Sequence, residues 1–221
     1  VAMRLADGLV FASDSRTNAG FDQISTFRKM HVFEQPGERE LVILSAGNLA
    51  TSQSVISLLE KRAGSEDPNV FSTASMFETA EVVGRTIREV IHRDNPEGKV
   101  NHVDFSCSLI LGGQIRGEQV RLFNIYPEGN FIEATEETPY FQIGEPKYGK
   151  PILDRVVTPE TNLADAQKAV LLSMDSTLRS NLSVGMPLDL AVIEKDACAV
   201  SARRRIKEGD PDFMEMSAAW S

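Results

Sequence analysis

Cysteine, histidine and long apolar runs are scarce in this chain, and each scarcity closes a route. The two cysteines, Cys107 and Cys198, cannot build a disulfide framework. Both lie in apolar, strand-like stretches, so we read them as buried free thiols in a reducing compartment. The three histidines, His31, His92 and His102, keep none of the tight spacings that preorganise metal ligands, and no CxxC accompanies them. Neither a metal nor a cofactor is expected. No apolar stretch approaches the roughly 20 residues that cross a bilayer, and no signal peptide is visible. We therefore expect a cytoplasmic protein with no membrane partner. The G-x-S-x-G elbow of serine hydrolases is absent.

Positive charge is also short. The net charge of −9 argues against a broad nucleic-acid surface, and no nucleic-acid partner is expected. The dense basic cluster, Arg203, Arg204, Arg205 and Lys207, reads as a solvated face or a subunit contact. Gly112, Gly113 and Gly117 invite a phosphate-binding reading, but a strand follows them. The helix N-terminus that would hold a phosphate is missing, so a hairpin turn is the better reading.

What is present is ordinary globular material: 42% apolar and 25% charged residues. Without repeats or a low-complexity linker, residues 1–221 read as one domain with an irregular tail from about residue 206. Residues 1–5 and 9–15 are strand-like around Asp7-Gly8, a hairpin turn signal. A second hairpin joins 30–34 to 41–45. Two helices follow, one capped by Asn48 and one over 73–93 that ends at Asp94-Asn95-Pro96-Glu97-Gly98. Strands over 105–111, 119–126 and 131–134, helices near 148–156 and 163–178, and a last strand over 188–193 complete the order. Grouped hairpins and paired helices favour antiparallel sheets over alternating βαβ units. The strands lack polar alternation, as at Leu41-Val42-Ile43-Leu44, so both faces need cover. The expected class is α+β: a four-layer αββα sandwich of two stacked, mainly antiparallel sheets flanked by helix pairs.

Asp14 stands out because it directly follows a buried-looking run. A turn-capping aspartate is the plain reading, but burying a carboxylate requires a cation or several N–H donors. Lys29 and Arg28 precede the strand from Met30. Neighbours on a strand face opposite ways, so only one of them can point at Asp14. On pattern alone an Asp14–Lys29 pair reads equally as a structural ion pair and as a site.

The stretches "DGLVFASDSRTNAG", "RKM", "LSAGN", "LILGGQIRGEQVRLFNIYPEG" and "SVGMPLDLAVI" span residues 7–193. In that order the chain resembles the proteasome β-subunit family of N-terminal-nucleophile hydrolases, most of all its bacterial Anbu, or ancestral β-subunit, group. The resemblance implies the αββα sandwich and a threonine peptidase or amidohydrolase. The nucleophilic Thr would stand about three residues ahead of Val1, outside the given sequence. Thr17 and Thr26 are internal and cannot use their own α-amine. Lys29 would lower the cost of the alkoxide, Asp14 would hold Lys29 charged and aimed, and Gly47 would offer its N–H to the oxyanion. Ser183 would hydrogen-bond the N-terminal amine and the surroundings of Asp14. Peptide or amide substrates and a homo-oligomer, ring or ring-like, are the implied partners; the sequence names no ATPase partner. Two departures stand out. Ser180 sits where the family commonly has an Asp, with Asp175 on the preceding helix, and Gly144-Glu145 replaces the family's frequent Gly-Ser. A small-amide amidase and a catalytically silent ring subunit are the alternative readings.

Overall fold

Strands that are apolar on both faces must be sandwiched, and the chain supplies the cover in layers. The computed structural model describes residues 1–18, 24–64, 68–96 and 103–220. Ala19, Gly20, Glu97, Gly98 and His102, which figure in the readings above, lie outside the described residues. The first hairpin is β1 (Ala2–Leu5) with β2 (Gly8–Ser13). A small ribbon pairs β3 (Arg16–Asn18) with β4 (Ile24–Thr26). Strands β5 (Met30–Gln35), β6 (Arg39–Gly47), β7 (Cys107–Ile115), β8 (Arg121–Ile125) and β9 (Phe131–Glu133) form one sheet in sequence order. The other sheet, in the order β10–β1–β2–β11–β12, adds β10 (Tyr140–Phe141), β11 (Leu188–Glu194) and β12 (Ala202–Ile206). All of these pairings are antiparallel.

Three apolar layers hold the sheets and helices together. Phe11, Val42, Leu44, Ile110, Leu122 and Ile193 meet between the sheets. Leu41, Ile43, Leu109 and Phe123 point the other way, against Val55, Leu59, Val83 and Ile87 of α1 (Leu49–Arg62) and α2 (Met76–Asp94). On the far side Met3, Val10, Leu190 and Val192 meet Leu153 of α3 (Lys150–Val156) and Val170 of α4 (Leu163–Ser180). The period-2 alternation of a strand therefore feeds two cores at once, which is why the sequence shows none. The αββα sandwich expected from the sequence is the fold found.

Three local expectations need correction. Gly112 and Gly113 lie inside β7 rather than in a turn. A Cβ on Gly112 would come within 2.7 Å of the Phe11 ring, so the glycine makes room for an aromatic between the sheets. The second helix starts at Met76, not near Thr73, because Ser75 caps it. Thr73 is held outside, its carbonyl and hydroxyl accepting from the Arg39 guanidinium. The stretch beyond residue 201 is ordered too: β12 is followed by α5 (Pro211–Trp220), which buries Phe213 in the outer core. Two members of its basic cluster are paired within the chain. Arg204 donates to Asp210 and Asp212, and both Arg205–Asp189 contacts are 2.9 Å. The helix in the tail buries only Phe213 and Ser217, too few positions to show a core pattern, and so the tail from about residue 206 read as irregular.

Glu40 on β6 is fully buried, opposite Glu34 and Gln114 on the flanking strands. Burial, and after it the Glu34 carboxylate, pushes its carboxyl up from 4.5 to about 8. The folded state thus favours the protonated acid. Stability from that proton is complete below pH 4.5 and is lost as the pH rises to about 8. Glu40→Gln, which keeps the shape without the titration, should melt above the native chain at pH 8. The gain is roughly 2–4 °C for each kcal/mol relieved, and it should vanish in acid. Thermal melts across this pH range check it.

Candidate active site

The first sheet ends, at one edge of the sandwich, where β2 runs into Asp14 and Ser15. Both stay buried, and the chain surrounds the carboxylate with donors. Asp14 Oδ1 accepts from Lys29 Nζ at 2.7 Å. Its Oδ2 accepts the N–H groups of Arg16 and Gly185 at 3.1 and 3.2 Å. Ser15 adds two ties to the same loop, its N–H to the Gly185 carbonyl and its Oγ to the Pro187 carbonyl. Between the two candidate cations the structure selects Lys29. Arg28 is exposed, while Lys29 sits immediately before β5 and accepts the Ser45 N–H on its own carbonyl. The ion pair therefore joins the end of one sheet to the start of the other.

Gly47 closes β6 with φ +103°, a region that side chains rarely adopt. A Cβ there would stand 2.6 Å from the Ser106 carbonyl oxygen. The next residue, Asn48, donates its N–H to that same carbonyl and caps α1 by accepting the Thr51 N–H. Glycine is thus required by the close approach of β7. Asp14, Lys29, Gly47 and Ser183 line one cleft of about 430 Å³, together with Val1, Glu145 and Arg16. Ser183 takes its place there through Asn181, to which its hydroxyl and N–H both donate. The bond from its loop to Asp14 comes instead from the Gly185 N–H.

Asp175 is no part of this cleft. Its carboxylate accepts from Arg179 and Ser217, tying α4 to α5. Sequence reasoning missed Asn181 and Glu145, whose contact spans two loops 36 residues apart. The one signal available was Glu145 standing in the family's Gly-Ser position. The cysteines offer no nucleophile: burial pushes the Cys107 thiol up to about 11 and raises that of Cys198. His31 is lowered by burial and lies on β5, outside the cleft lining. Among the described residues no three His, Cys, Asp or Glu side chains converge to hold a metal ion.

Two antiparallel sheets between helix pairs, with a cleft at the strand ends, define the sandwich of the N-terminal-nucleophile hydrolases. The proteasome subunit family matches residues 1–193. Anbu (ancestral beta-subunit) from Yersinia bercovieri is 59% identical over 99% of this chain and 91% of its own, with a TM-score of 0.94. A second solved structure, the helical assembly of the Anbu complex from Pseudomonas aeruginosa, is 52% identical, covers 99% and 90%, and has a TM-score of 0.95. Proteasome subunit beta 2 of Pyrobaculum calidifontis is 25% identical over 89% of this chain and 88% of its own. The chain belongs to the proteasome subunit family, and the Anbu proteins are among its similar structures.

Gly47→Ala should cost roughly 1–3 kcal/mol for the forced backbone alone. A lower urea midpoint at unchanged m-value is the expected result.

Proposed function

We propose that this chain is a threonine-type N-terminal-nucleophile hydrolase of peptide or amide bonds, working within an assembly of its own copies. The observation that carries this reading is the Asp14–Lys29 pair, at 2.7 Å, in a cleft lined by Val1. Val1 and Ala12 exchange both backbone hydrogen bonds at 2.9 Å. That register, continued past Val1, sets the preceding position opposite Ser13 and the one before it opposite Asp14. A residue about three positions upstream of Val1 would therefore arrive beside Asp14 and Lys29. Its hydroxyl and α-amine would share one cleft.

The chemistry follows from those neighbours. The threonine hydroxyl attacks the scissile carbonyl while its own α-amine takes the proton. The Lys29 ammonium, held by Asp14, favours the developing alkoxide. The Gly47 N–H is the donor proposed for the carbonyl oxygen as it gains charge. The amine then returns the proton to the leaving nitrogen, giving an ester between threonine and the acyl fragment. Water, deprotonated by the same amine, cleaves that ester and restores the free hydroxyl. No metal or cofactor enters the balance.

Self-assembly supports the same reading by confinement, since an open protease would attack its surroundings. The Pseudomonas aeruginosa relative was solved as a helical assembly, and a closed or helical arrangement here depends on interface geometry.

The tests are direct. Mass spectrometry of the native protein should find a free Thr about three residues ahead of Val1, and an electrophilic inhibitor should add to it. Lys29→Ala should lower the rate of peptide-amide cleavage by roughly 10²–10⁴-fold without changing the oligomer. A blocked N-terminus would overturn the reading in favour of a silent subunit, and full activity in Lys29→Ala would overturn it by removing the Asp14–Lys29 pair from the chemistry.

A further inference from the structure

Glu145 belongs to none of the roles above, yet it ends a directed chain of hydrogen bonds that begins in the cleft. The Ser183 hydroxyl and backbone N–H donate to Asn181 Oδ1 at 2.7 and 2.8 Å. Asn181 Nδ2 donates to Glu145 Oε2 at 2.7 Å, and Glu145 Oε1 accepts the Lys147 N–H at 2.8 Å. Asn181 is also the C-cap of α4, its N–H bonded to the Thr177 carbonyl, so the amide is anchored. Glu145 and Ser183 both line the cleft.

The direction of this chain is set at both ends, since the Ser183 N–H can only donate to the amide oxygen. An ionised carboxylate can only accept, so Asn181 must turn its NH₂ towards Glu145 and its carbonyl towards Ser183. The Ser183 proton is then committed to Asn181, and the oxygen has only lone pairs left for the cleft. Without the charge, the amide is less polarised and its oxygen a weaker acceptor, so the Ser183 hydroxyl can rotate its proton into the cleft instead.

We propose that Glu145 is a positioning residue: through Asn181 it makes Ser183 a hydrogen-bond acceptor, matched to the protonated α-amine of the nucleophile. This rests on the reading above, in which that amine is the general base. The acid on this side of the cleft is thus supplied by the loop before α3, while Asp175, though nearer in sequence, serves the α4–α5 contact. The other ionisable side chains in the lining are Asp14 after β2, Arg16 on β3 and Lys29 before β5, with Lys147 on Glu145's own loop. Asp14 and Lys29 neutralise each other, which leaves Glu145 and Arg16 as the remaining charges.

The pH profile separates this from a structural role. The amine must be neutral to accept the hydroxyl proton, so the acid limb of kcat/KM follows its titration. Glu145 favours the charged amine. Glu145→Gln should therefore move the acid limb to lower pH by about half a unit and lower kcat about tenfold, with little change in KM. The double variant Glu145→Gln, Asn181→Asp should restore both, because the new carboxylate accepts from Ser183 and from the Gln amide. Cleavage of a fluorogenic peptide amide and inactivation by a β-lactone would be followed across pH.

A native-like limb in Glu145→Gln, or failure of the double variant to restore it, overturns the positioning role. If Lys29→Ala is inactive in the same series, the hydrolase reading survives that result. If the native protein neither cleaves nor acylates, the hydrolase reading fails, and the role of Glu145 falls with it.

Discussion

A lysine from the start of one sheet meets an aspartate from the end of the other at 2.7 Å, and the cleft is organised around that contact. Partly buried ion pairs add little net stability, because desolvation offsets most of the attraction. The chain nevertheless surrounds Asp14 with two backbone N–H groups besides Lys29 and seals Ser15 against the loop that follows α4. So many donors at the end of a central strand fit a group whose charge must be kept in place. The same contact lies where the two sheets come together and where the ladder of β1 points.

The layered core makes that placement rigid. Phe11 fills the space that Gly112 leaves open, so the strand leading to Asp14 is locked against β7 of the opposite sheet. Lys29 is held in turn because the Ser45 N–H bonds its carbonyl, and Ser45 lies two residues before Gly47 on β6. Lysine and glycine are thus presented by adjoining strands of one sheet, and the acid by the other. Packing alone brings the three together, without any long loop having to fold over them.

Much of this was legible in the sequence. Strands without alternation announced double cover, and the acid after a buried run announced a partner cation. Opposite facing of Arg28 and Lys29 left two candidates, and the structure chose between them. Family likeness supplied Gly47 and Ser183, which pattern alone would have passed over as a helix entry and a turn. Other features were hidden for physical reasons. Strand β12 presents three arginines in a row, two of them ion-paired to residues outside the strand, and Gly112 looks like a turn until Phe11 is seen beside it. The Glu145–Asn181–Ser183 chain joins two loops with no shared local pattern, so no periodicity could expose it.

The central claim is that a nucleophile's hydroxyl stands beside the Asp14-held lysine. A crystal structure of the full protein carrying an acylating inhibitor measures this most directly. The account predicts an ester on a threonine about three residues ahead of Val1, its oxygen within hydrogen-bond reach of Lys29 Nζ, with Lys29 still bonded to Asp14. An adduct on any other residue, or a Lys29 side chain turned to solvent beside an intact adduct, would contradict it.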